Sequence, residues 1–423
     1  MKKILLFLVC VLGLQVHAQQ FNDYFDDATL SIDYTFSGDV HQQRITLDKL
    51  NRSPRWYGKR QRLAEVPVEG NGQIIVRHHA TRKEIYRQSF STLFQEWLSY
   101  DEPQHTARSF ENVFLVPMPK DTVDVTVELR TSRLDVLVSY THRVIPSDIL
   151  IKHIGEKEVT PYKTLMQAAD TNKCMHIAYI AEGYRKEDMD DFIAHATEAN
   201  EALFAHEPFK SLKGRFNVIA VMSESKESGT SVPSKGVWKN TVLGSHFDTF
   251  YSDRYLTTLN LRDMHDQLAG TPYEHIIVLV NSETYGGGGI YNSYNLTSTR
   301  HKYFKPVVVH EFGHSIAGLA DEYAFEEELI PLYPHDIEPW EPNLTTLVDF
   351  ASKWKDMVKK GTKIPTIPTE KNKMEVGVYE GAGYSVKGVY RAFQDCRMRT
   401  NQFPEFCPVC KRALTHLIDF YTK

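Results

Sequence analysis

The chain has 423 residues, of which 42% are hydrophobic and 24% charged, and its formal net charge at pH 7 is −5. This composition is typical of a globular protein and excludes a disordered one, and a mildly acidic balance argues against nucleic acid and anionic lipid as partners. The length exceeds what one ordinary hydrophobic core needs, so two domains are expected.

Residues 1–18 have the pattern of a secretory signal peptide. Lys2 and Lys3 form its positively charged start, residues 4–14 its apolar stretch and residues 16–18 a cleavage site with small side chains. The apolar stretch is too short to span a bilayer, and no other stretch of the sequence could do so. We therefore expect an exported protein, periplasmic or secreted, with no transmembrane segment in the mature chain.

Residues 19–145 predict an N-terminal β-sandwich-like domain. Hydrophobic residues alternate with polar ones in several stretches, as in the series Val123, Val125, Val127 and Leu129, and alternation of this kind is typical of strands with one buried face. No group of His, Cys, Asp and Glu has metal-ligand spacing here. We interpret this domain as one that docks or positions.

Residues 146–423 predict a catalytic domain of a different kind. Buried strands are expected at residues 175–181, 216–222 and 275–281, with helical spacing between them at 186–206 and from about 253 to 269. Strands that alternate with helices indicate an α/β layer with a mixed, mostly parallel sheet. The whole chain is thus expected to be a multidomain protein of the α+β or α/β class.

A run of four glycines, Gly286 to Gly289, follows the third of these strands. It lacks the lysine and serine of a phosphate-binding loop. Glycines allow another backbone to come close, so Gly287, Gly288 and Gly289 are predicted to form an edge strand that pairs with an extended peptide substrate. The alternative is a bulge with no role in substrate binding.

His310, Glu311 and His314 form an HExxH pattern. On a helix, a step of four residues is about 400° of rotation, so both imidazoles project from one face. Two neutral imidazoles so placed can share one zinc ion, and the neighbouring glutamate is the expected general base. The alternative is a coincidental pair of core histidines.

A catalytic zinc needs a third protein ligand, and a straight helix would carry Asp321 about 10 Å too far along its axis. Gly318 offers a remedy, because glycine can adopt the left-handed conformation that ends a helix and turns the chain back. Asp321 is the predicted ligand. Glu322 remains an alternative, as do the later acids Asp336 and Glu338.

Four cysteines follow the predicted signal peptide: Cys174, Cys396, Cys407 and Cys410. In an oxidising compartment we expect a disulfide between Cys396 and either Cys407 or Cys410. The CPVC pair could also be a redox motif or half of a zinc ribbon, but the ribbon needs two further ligands that the sequence does not suggest. The acidic run at residues 326–328 is interpreted as a solvated loop, with calcium as an unsupported alternative.

These motifs together resemble the IgA-peptidase family of secreted bacterial zinc metallopeptidases. The segments that carry the resemblance are HEFGHSIAGLADEY, YGGGGIYN, CRMRTN, FCPVC, SHFDTFYSDRYLTTL, EPWEPNLTTLVDFASKW, FQEW and RWYG. They extend over nearly the whole mature chain. The resemblance implies that His310 and His314 bind zinc and that Glu311 is the catalytic base.

Family and fold also resemble the metzincins, in which a methionine-containing turn lies beneath the zinc site, and Met398 matches that position. In that group the third ligand falls six residues after the second histidine and a glycine falls three residues after it. Here Gly318 and Asp321 are each displaced by one residue, and their mutual spacing is kept, which favours Asp321.

The predicted function is a secreted zinc endopeptidase, with one zinc ion per chain, that hydrolyses peptide bonds of extracellular or host proteins. In this mechanism water activated by zinc attacks the scissile carbonyl and Glu311 takes up its proton. Tyr384 or Tyr390 could donate a hydrogen bond to the developing oxyanion. The alternative is a non-catalytic glycan- or protein-binding module with a vestigial metal site. Cleavage of immunoglobulin is not implied.

Overall fold

The computed structural model describes residues 20–325 and 333–423. The predicted signal peptide and the acidic run at 326–328 therefore lie outside the described residues. Among the described helices, none is long and apolar enough to cross a membrane.

The first part of the chain consists mainly of two four-stranded sheets, with strand orders β5-β1-β2-β8 and β4-β3-β6-β7. All their pairings are antiparallel except that of β2 with β8. The elements are α1 (Phe21–Tyr24), β1 (Phe25–Gly38), β2 (Gln43–Pro54), β3 (Gly72–His78), β4 (Glu84–Phe90), α2 (Leu93–Trp97), β5 (Arg108–Pro119), β6 (Val123–Arg130), β7 (Val136–Val144) and β8 (Lys152–His153).

The alternation seen in the sequence explains why these strands pack. Val123, Val125, Val127 and Leu129 of β6 are all buried, and they share a core with residues of the other sheet, such as Ile32 of β1. The phenol oxygen of Tyr34 on β1 lies 2.6 Å from Nε2 of His142 on β7. The two sheets thus contribute to one core, while a sandwich geometry and a domain boundary near residue 145 stay predictions.

The second part is built on a six-stranded sheet of order β13-β14-β12-β10-β11-β9. The four middle strands are parallel, and the two outer strands are antiparallel to their neighbours. The strands are β9 (Tyr162–Met166), β10 (Met175–Glu182), β11 (Phe216–Val221), β12 (His275–Val280), β13 (Gly287–Ile290) and β14 (Tyr294–Ser298). The helices are α3 (Met189–Phe204), α4 (Phe209–Leu212), α5 (Leu261–Leu268) and α6 (Phe304–Ala317).

The remaining elements form a three-stranded sheet of order β15-β17-β16 and a closing helix. They are β15 (Leu344–Thr345), β16 (Tyr379–Ala382), β17 (Ser385–Arg391) and α7 (Pro408–Thr422). Short 3-10 helices lie at Glu102–Gln104, Lys186–Asp188, Lys213–Arg215, Pro233–Lys235, Thr249–Tyr251, Phe350–Ser352, Lys355–Met357 and Glu370–Asn372.

The six-stranded sheet is covered on both faces. Ala178 and Ile180 of β10 point into the core that also contains the first two sheets. Ile177 and Tyr179 point to the other face, where they pack in one cluster with α3, α6 and α7. Burial on both faces explains why these strands read as continuous apolar runs, and it means that the first part of the chain is the covering layer of the sheet.

One predicted element is shorter than expected. The helix predicted from about residue 253 to 269 extends only over Leu261–Leu268. The residues before it form isolated β-bridges instead, Tyr255 with Gly287 and Thr257 with His246. Backbone hydrogen bonding to two neighbouring segments outweighs local helical spacing there.

Candidate active site and metal centre

Helix α6 places His310 and His314 on one face, one turn apart. Their Nε2 atoms lie 3.0 Å from each other, and their ring centroids are 4.7 Å apart. The helix holds this position because Val308, Val309 and Phe312 are buried on its other side against the sheet and the other helices. The imidazoles therefore converge on a common point, as the four-residue spacing predicts.

Gly318 ends α6 in the left-handed conformation, with φ 57° and ψ 34°. Its N–H donates to the carbonyl of His314, and the chain then folds back beneath the helix. This turn places Oδ1 of Asp321 3.0 Å from Nε2 of His310 and 3.3 Å from Nε2 of His314. The expected role of Gly318 in the turn is thus confirmed, and Asp321 joins the histidines.

The three side chains suit a zinc ion. The Nδ1 atoms of His310 and His314 lie within hydrogen-bond distance of the carbonyls of Arg397 and Leu319, which fixes the rings and turns each Nε2 inward. Oδ1 of Asp321 is buried and makes no well-oriented hydrogen bond. Zinc bonds of about 2.0 Å in a tetrahedron require ligand atoms about 3.3 Å apart, which matches the distances between these three atoms.

The charges of the three side chains are coupled. Burial lowers the pKa of His314, but the carboxylate of Asp321 raises it more, so that it reaches about 9. Burial raises the pKa of Asp321, yet the two histidines hold it well below its usual range. The histidines and the aspartate form an ion pair, and a bound cation would displace the proton that they share.

Tyr384 supports the aspartate from the far side. Its hydroxyl donates to Oδ2 of Asp321, and burial raises its pKa well above the ordinary value, so the phenol stays protonated. The backbone N–H of Gly383 also donates to the carbonyl of Asp321 at 2.9 Å. Tyr384 was expected as an oxyanion donor, whereas the structure places its hydroxyl on the carboxylate. Nothing in the sequence pattern signals this contact.

Glu311 lies between the metal centre and the glycine strand β13. A Cβ atom on Gly287 would lie only 2.6 Å from Oε1 of Glu311, and one on Gly289 would lie 2.5 Å from its carbonyl oxygen. Burial raises the pKa of Glu311, and the charges of His310 and His314 oppose that rise. The carboxyl group is therefore kept near the histidines in an environment that favours uptake of a proton.

The glycines of β13 have a packing reason that the sequence did not reveal. Gly287 and Gly289 face α6, whereas a Cβ on Gly288 would lie 2.8 Å from the carbonyl oxygen of Leu256. Strand β13 is the outermost strand of its sheet, but Gly287 already forms a bridge with Tyr255. Pairing of this edge with a peptide substrate stays a prediction. The residues of β13 after Gly287 are where such pairing would occur.

Met398 packs against the turn of α6 that carries the two histidines. It is fully buried, and a Cβ atom on Gly313 would lie 2.8 Å from its sulfur. The carbonyl of Met398 also accepts a 2.8 Å hydrogen bond from the N–H of Glu322. The turn that carries Met398 thus supports both the helix and the segment after Gly318.

The alternative third ligands lie elsewhere. Glu322 points away from the histidines, with Oε1 3.1 Å from Sγ of Cys410. Asp336 forms an ion pair with Arg133. Glu338 accepts a 2.8 Å hydrogen bond from the N–H of Asp349. Only Asp321 joins the two histidines among the metal-binding groups of the described residues.

Tyr390 lies on β17, opposite Thr345 and Glu380 in the small sheet. Its side chain is partly exposed, and the metal-binding group found among the described residues consists of His310, His314 and Asp321 without it. The structure therefore gives no support to a role as oxyanion donor.

The expected disulfide is not present. Cys174, Cys396, Cys407 and Cys410 are all free and buried, and the sulfurs of Cys396 and Cys410 are 3.8 Å apart, whereas a disulfide requires about 2.05 Å. The prediction of a bond from Cys396 to Cys407 or Cys410 is wrong. The three sulfurs instead lie around the carboxylate of Glu322. Glu322 is far from all three cysteines in the sequence.

The first part of the chain also reaches the site. Ser89 on β4 accepts a 2.8 Å hydrogen bond from Asn292 through its carbonyl and contacts the hydroxyl of Tyr291 at 3.1 Å. The ring of Tyr291 packs against Trp340, and Trp340 in turn lies against Gly318. Contacts from β4 therefore lead to the turn that places Asp321. Sequence periodicity could not show this path.

Comparison with known proteins gives two matching family models. The model described as IgA Peptidase M64 matches residues 164–376 and 367–418, and the model described as Peptidase M64 N-terminus matches residues 20–141. Curated proteins give no match. A solved structure of metalloproteinase-II from Bacteroides fragilis aligns with 54% of this chain and 81% of its own, at 12% identity and a TM-score of 0.21, a likeness too low to carry an argument.

Proposed function

This chain belongs to the IgA peptidase M64 family, and from that premise we propose that it is an exported zinc-dependent endopeptidase. The observation that carries the proposal is the convergence of His310, His314 and Asp321, whose ligand atoms all lie within 4.8 Å of one another. Family membership favours this reading over the non-catalytic binding module.

Two imidazoles and one carboxylate are a donor set for a catalytic zinc, which keeps a position for water. When bound, the ion would supply a Lewis acid and bring the pKa of coordinated water to about 7. Two neutral histidines and one aspartate would leave a net charge of about +1 on the centre. Proton transfer and the positioning of the ion would be the tasks of this chain's own residues.

Glu311 is the proposed general base. Its carboxyl group lies beside the histidines and is held in place by close packing against Gly287. Because burial raises its pKa, it binds a proton more readily than an ordinary glutamate does. It would take a proton from the attacking water and give it to the nitrogen of the leaving amine, which needs that proton to depart.

Asp321 and Tyr384 form the proposed support of the centre. The hydroxyl of Tyr384 occupies Oδ2 of Asp321, so that Oδ1 alone faces the histidines. This division fixes the aspartate as a ligand through one oxygen. Removal of the hydroxyl would free the carboxylate to rotate and loosen the metal.

We also propose that the zinc centre is metzincin-like, with Met398 as the structural methionine beneath it. The buried contact of Met398 with Gly313 supports this assignment. An extended polypeptide, extracellular or from a host, would be the substrate, and the free part of β13 would align its backbone. The first part of the chain would position the turn at Gly318 through its contacts with Tyr291.

The test compares the wild-type protein with Glu311→Gln, which keeps the size of the side chain and removes its basicity. We expect the variant to retain its zinc and to lose about 10²- to 10⁴-fold in the rate of casein hydrolysis, the share that general base catalysis provides. Equal rates would refute the mechanism. Zinc content is measured by mass spectrometry of the metal on the same samples.

Asp321→Ala tests the third ligand, with Asp336→Asn as its control. Asp321→Ala should lose most of the zinc that the histidines hold, and Asp336→Asn should keep it, because Asp336 is exposed and forms an ion pair with Arg133. Full zinc content in Asp321→Ala would move the third ligand to another residue. Loss of this zinc in Asp336→Asn would likewise argue against Asp321 as the third ligand.

A further inference from the structure

A second group of ligand atoms lies behind the first. A carboxylate oxygen of Glu322 and the sulfurs of Cys396, Cys407 and Cys410 are all within 4.8 Å of one another, and all four residues are buried. They come from three separate segments: the turn after α6, the loop that carries Met398, and the start of α7. The fold, rather than local sequence, brings them together.

The distances fit a tetrahedral zinc site. With zinc–sulfur bonds of about 2.3 Å, the sulfurs of a tetrahedron lie about 3.8 Å apart, which is the distance between the sulfurs of Cys396 and Cys410. Oε1 of Glu322 lies 3.1 Å from the sulfur of Cys410 and 4.0 Å from that of Cys407. These distances bracket the value of about 3.5 Å for a sulfur and an oxygen on one zinc ion.

A backbone hydrogen bond and the start of α7 favour negatively charged sulfur at Cys407. The N–H of Cys407 donates to the sulfur of Cys396 at 3.1 Å, and the N–H of Cys410 donates to the sulfur of Cys407. Cys407 also stands at the N-terminus of α7, where the helix dipole stabilises a thiolate. Hydrogen bonds from backbone N–H groups are the usual outer contacts of zinc-bound cysteines.

Glu322 gives an independent indication of a ligand. Its side chain is fully buried. Oε1 accepts a hydrogen bond from Nδ2 of Asn343 at 3.0 Å, but Oε2 has no hydrogen-bond partner among the described residues. A buried carboxylate charge is costly, and a cation held by Oε1 and the three sulfurs would offset that cost. The buried Arg391 adds positive charge nearby.

We propose that Glu322, Cys396, Cys407 and Cys410 bind a second, structural zinc ion. The site is closed, with four protein ligands and no position left for water, as structural zinc sites are. On binding, the ion displaces the protons of the three thiols to solvent, and no oxidant is needed. The two ligands that a zinc ribbon lacked in the sequence are Cys396 and Glu322.

The site has a mechanical consequence for the catalytic centre. Asp321 and Glu322 are neighbours that point in opposite directions, one towards each centre. Asn343 holds the same segment, since its side chain accepts from the N–H of Ala320 and donates to the carbonyl of Ala320, both at 2.8 Å. A zinc ion on Glu322 would anchor this segment and so fix the place of Asp321.

The test counts zinc in the full chain, purified without chelator, and in a variant with His310→Ala and His314→Ala. We expect about two ions per chain in the wild type and about one in the variant, because the cysteine site is untouched. Retention of zinc in the variant is independent of peptidase activity, so failure of the proposed function would leave this result intact. A variant without zinc would overturn the second site.

Cobalt identifies the ligands of the remaining ion. After exchange of zinc for Co²⁺ in the histidine variant, we expect the intense near-ultraviolet absorption that cobalt shows only with thiolate ligands. That absorption should survive Cys174→Ser and be lost in Cys410→Ser. If Cys410→Ser does not fold, a count of thiols in the denatured, chelated wild type decides: all cysteines should react, and two fewer would indicate a disulfide and overturn the proposal.

Discussion

Gly318→Ala tests the geometry of the whole active site, because this one residue turns the chain back towards the metal centre. The left-handed conformation at φ 57° costs about 1–2 kcal/mol for a residue with a Cβ atom. That atom would also lie 2.4 Å from Cζ3 of Trp340, and relief of such overpacking costs about 1–3 kcal/mol. We expect a destabilisation of about 2–5 kcal/mol in total.

Gly236→Ala is the matched control. Gly236 also ends a short helix in the left-handed conformation, with φ 65°, but a Cβ atom there would meet nothing within 4 Å. Gly236→Ala should therefore lower the free energy of unfolding only by the backbone cost of about 1–2 kcal/mol. The difference between the two variants therefore measures the contact with Trp340.

Urea denaturation with zinc in excess gives both free energies of unfolding, and competition with a chelator gives zinc affinity. Gly318→Ala should lower zinc affinity by about 10- to 100-fold, because the support of a ligand moves, and Gly236→Ala should leave it unchanged. Adding Trp340→Leu to Gly318→Ala should recover part of the lost stability. Equal effects of the two glycine variants on stability and on zinc would refute the proposed role of the turn.

Two further predictions follow from contacts of the site. Tyr384→Phe should weaken zinc binding by about 10- to 100-fold, since Oδ2 of Asp321 loses its hydrogen bond. Its activity should return when zinc is added in excess, and a loss that excess zinc does not restore would assign the hydroxyl to the reaction itself. Gly287→Ala should keep zinc and lower the hydrolysis rate by about 10²-fold, because a Cβ 2.6 Å from Oε1 of Glu311 displaces the base. Gly214→Ala, where nothing lies within 4 Å, is its control, and equal rates in both would show that Glu311 tolerates the shift.

Much of the fold could be predicted from local pattern. The strands at β10, β11 and β12 follow from apolar runs, which a sheet covered on both faces explains. The helix α5 is shorter than its spacing suggests, because bridges from Tyr255 and Thr257 use the backbone of the preceding residues. Periodicity cannot report such contacts between distant segments.

In the candidate site too, local pattern predicts some features and contacts between distant segments determine the others. The helical period is enough to pair His310 with His314, and a single glycine is enough to place the turn before Asp321. The contacts of Tyr384 with Asp321 and of Glu322 with the cysteines join residues more than sixty positions apart. The number of cysteines suggested a disulfide. It carries no information on the carboxylate that the fold places among their sulfurs.

The shared core has a practical consequence for anyone who wishes to study the peptidase half by itself. Ala178 and Ile180, with Val278 and Val280 beside them, are buried beneath the first two sheets. A fragment that begins near residue 146 would expose this apolar surface to water, and it would tend to aggregate. Expression of both halves as one polypeptide is therefore a condition for a well-behaved enzyme, whatever substrate it cuts.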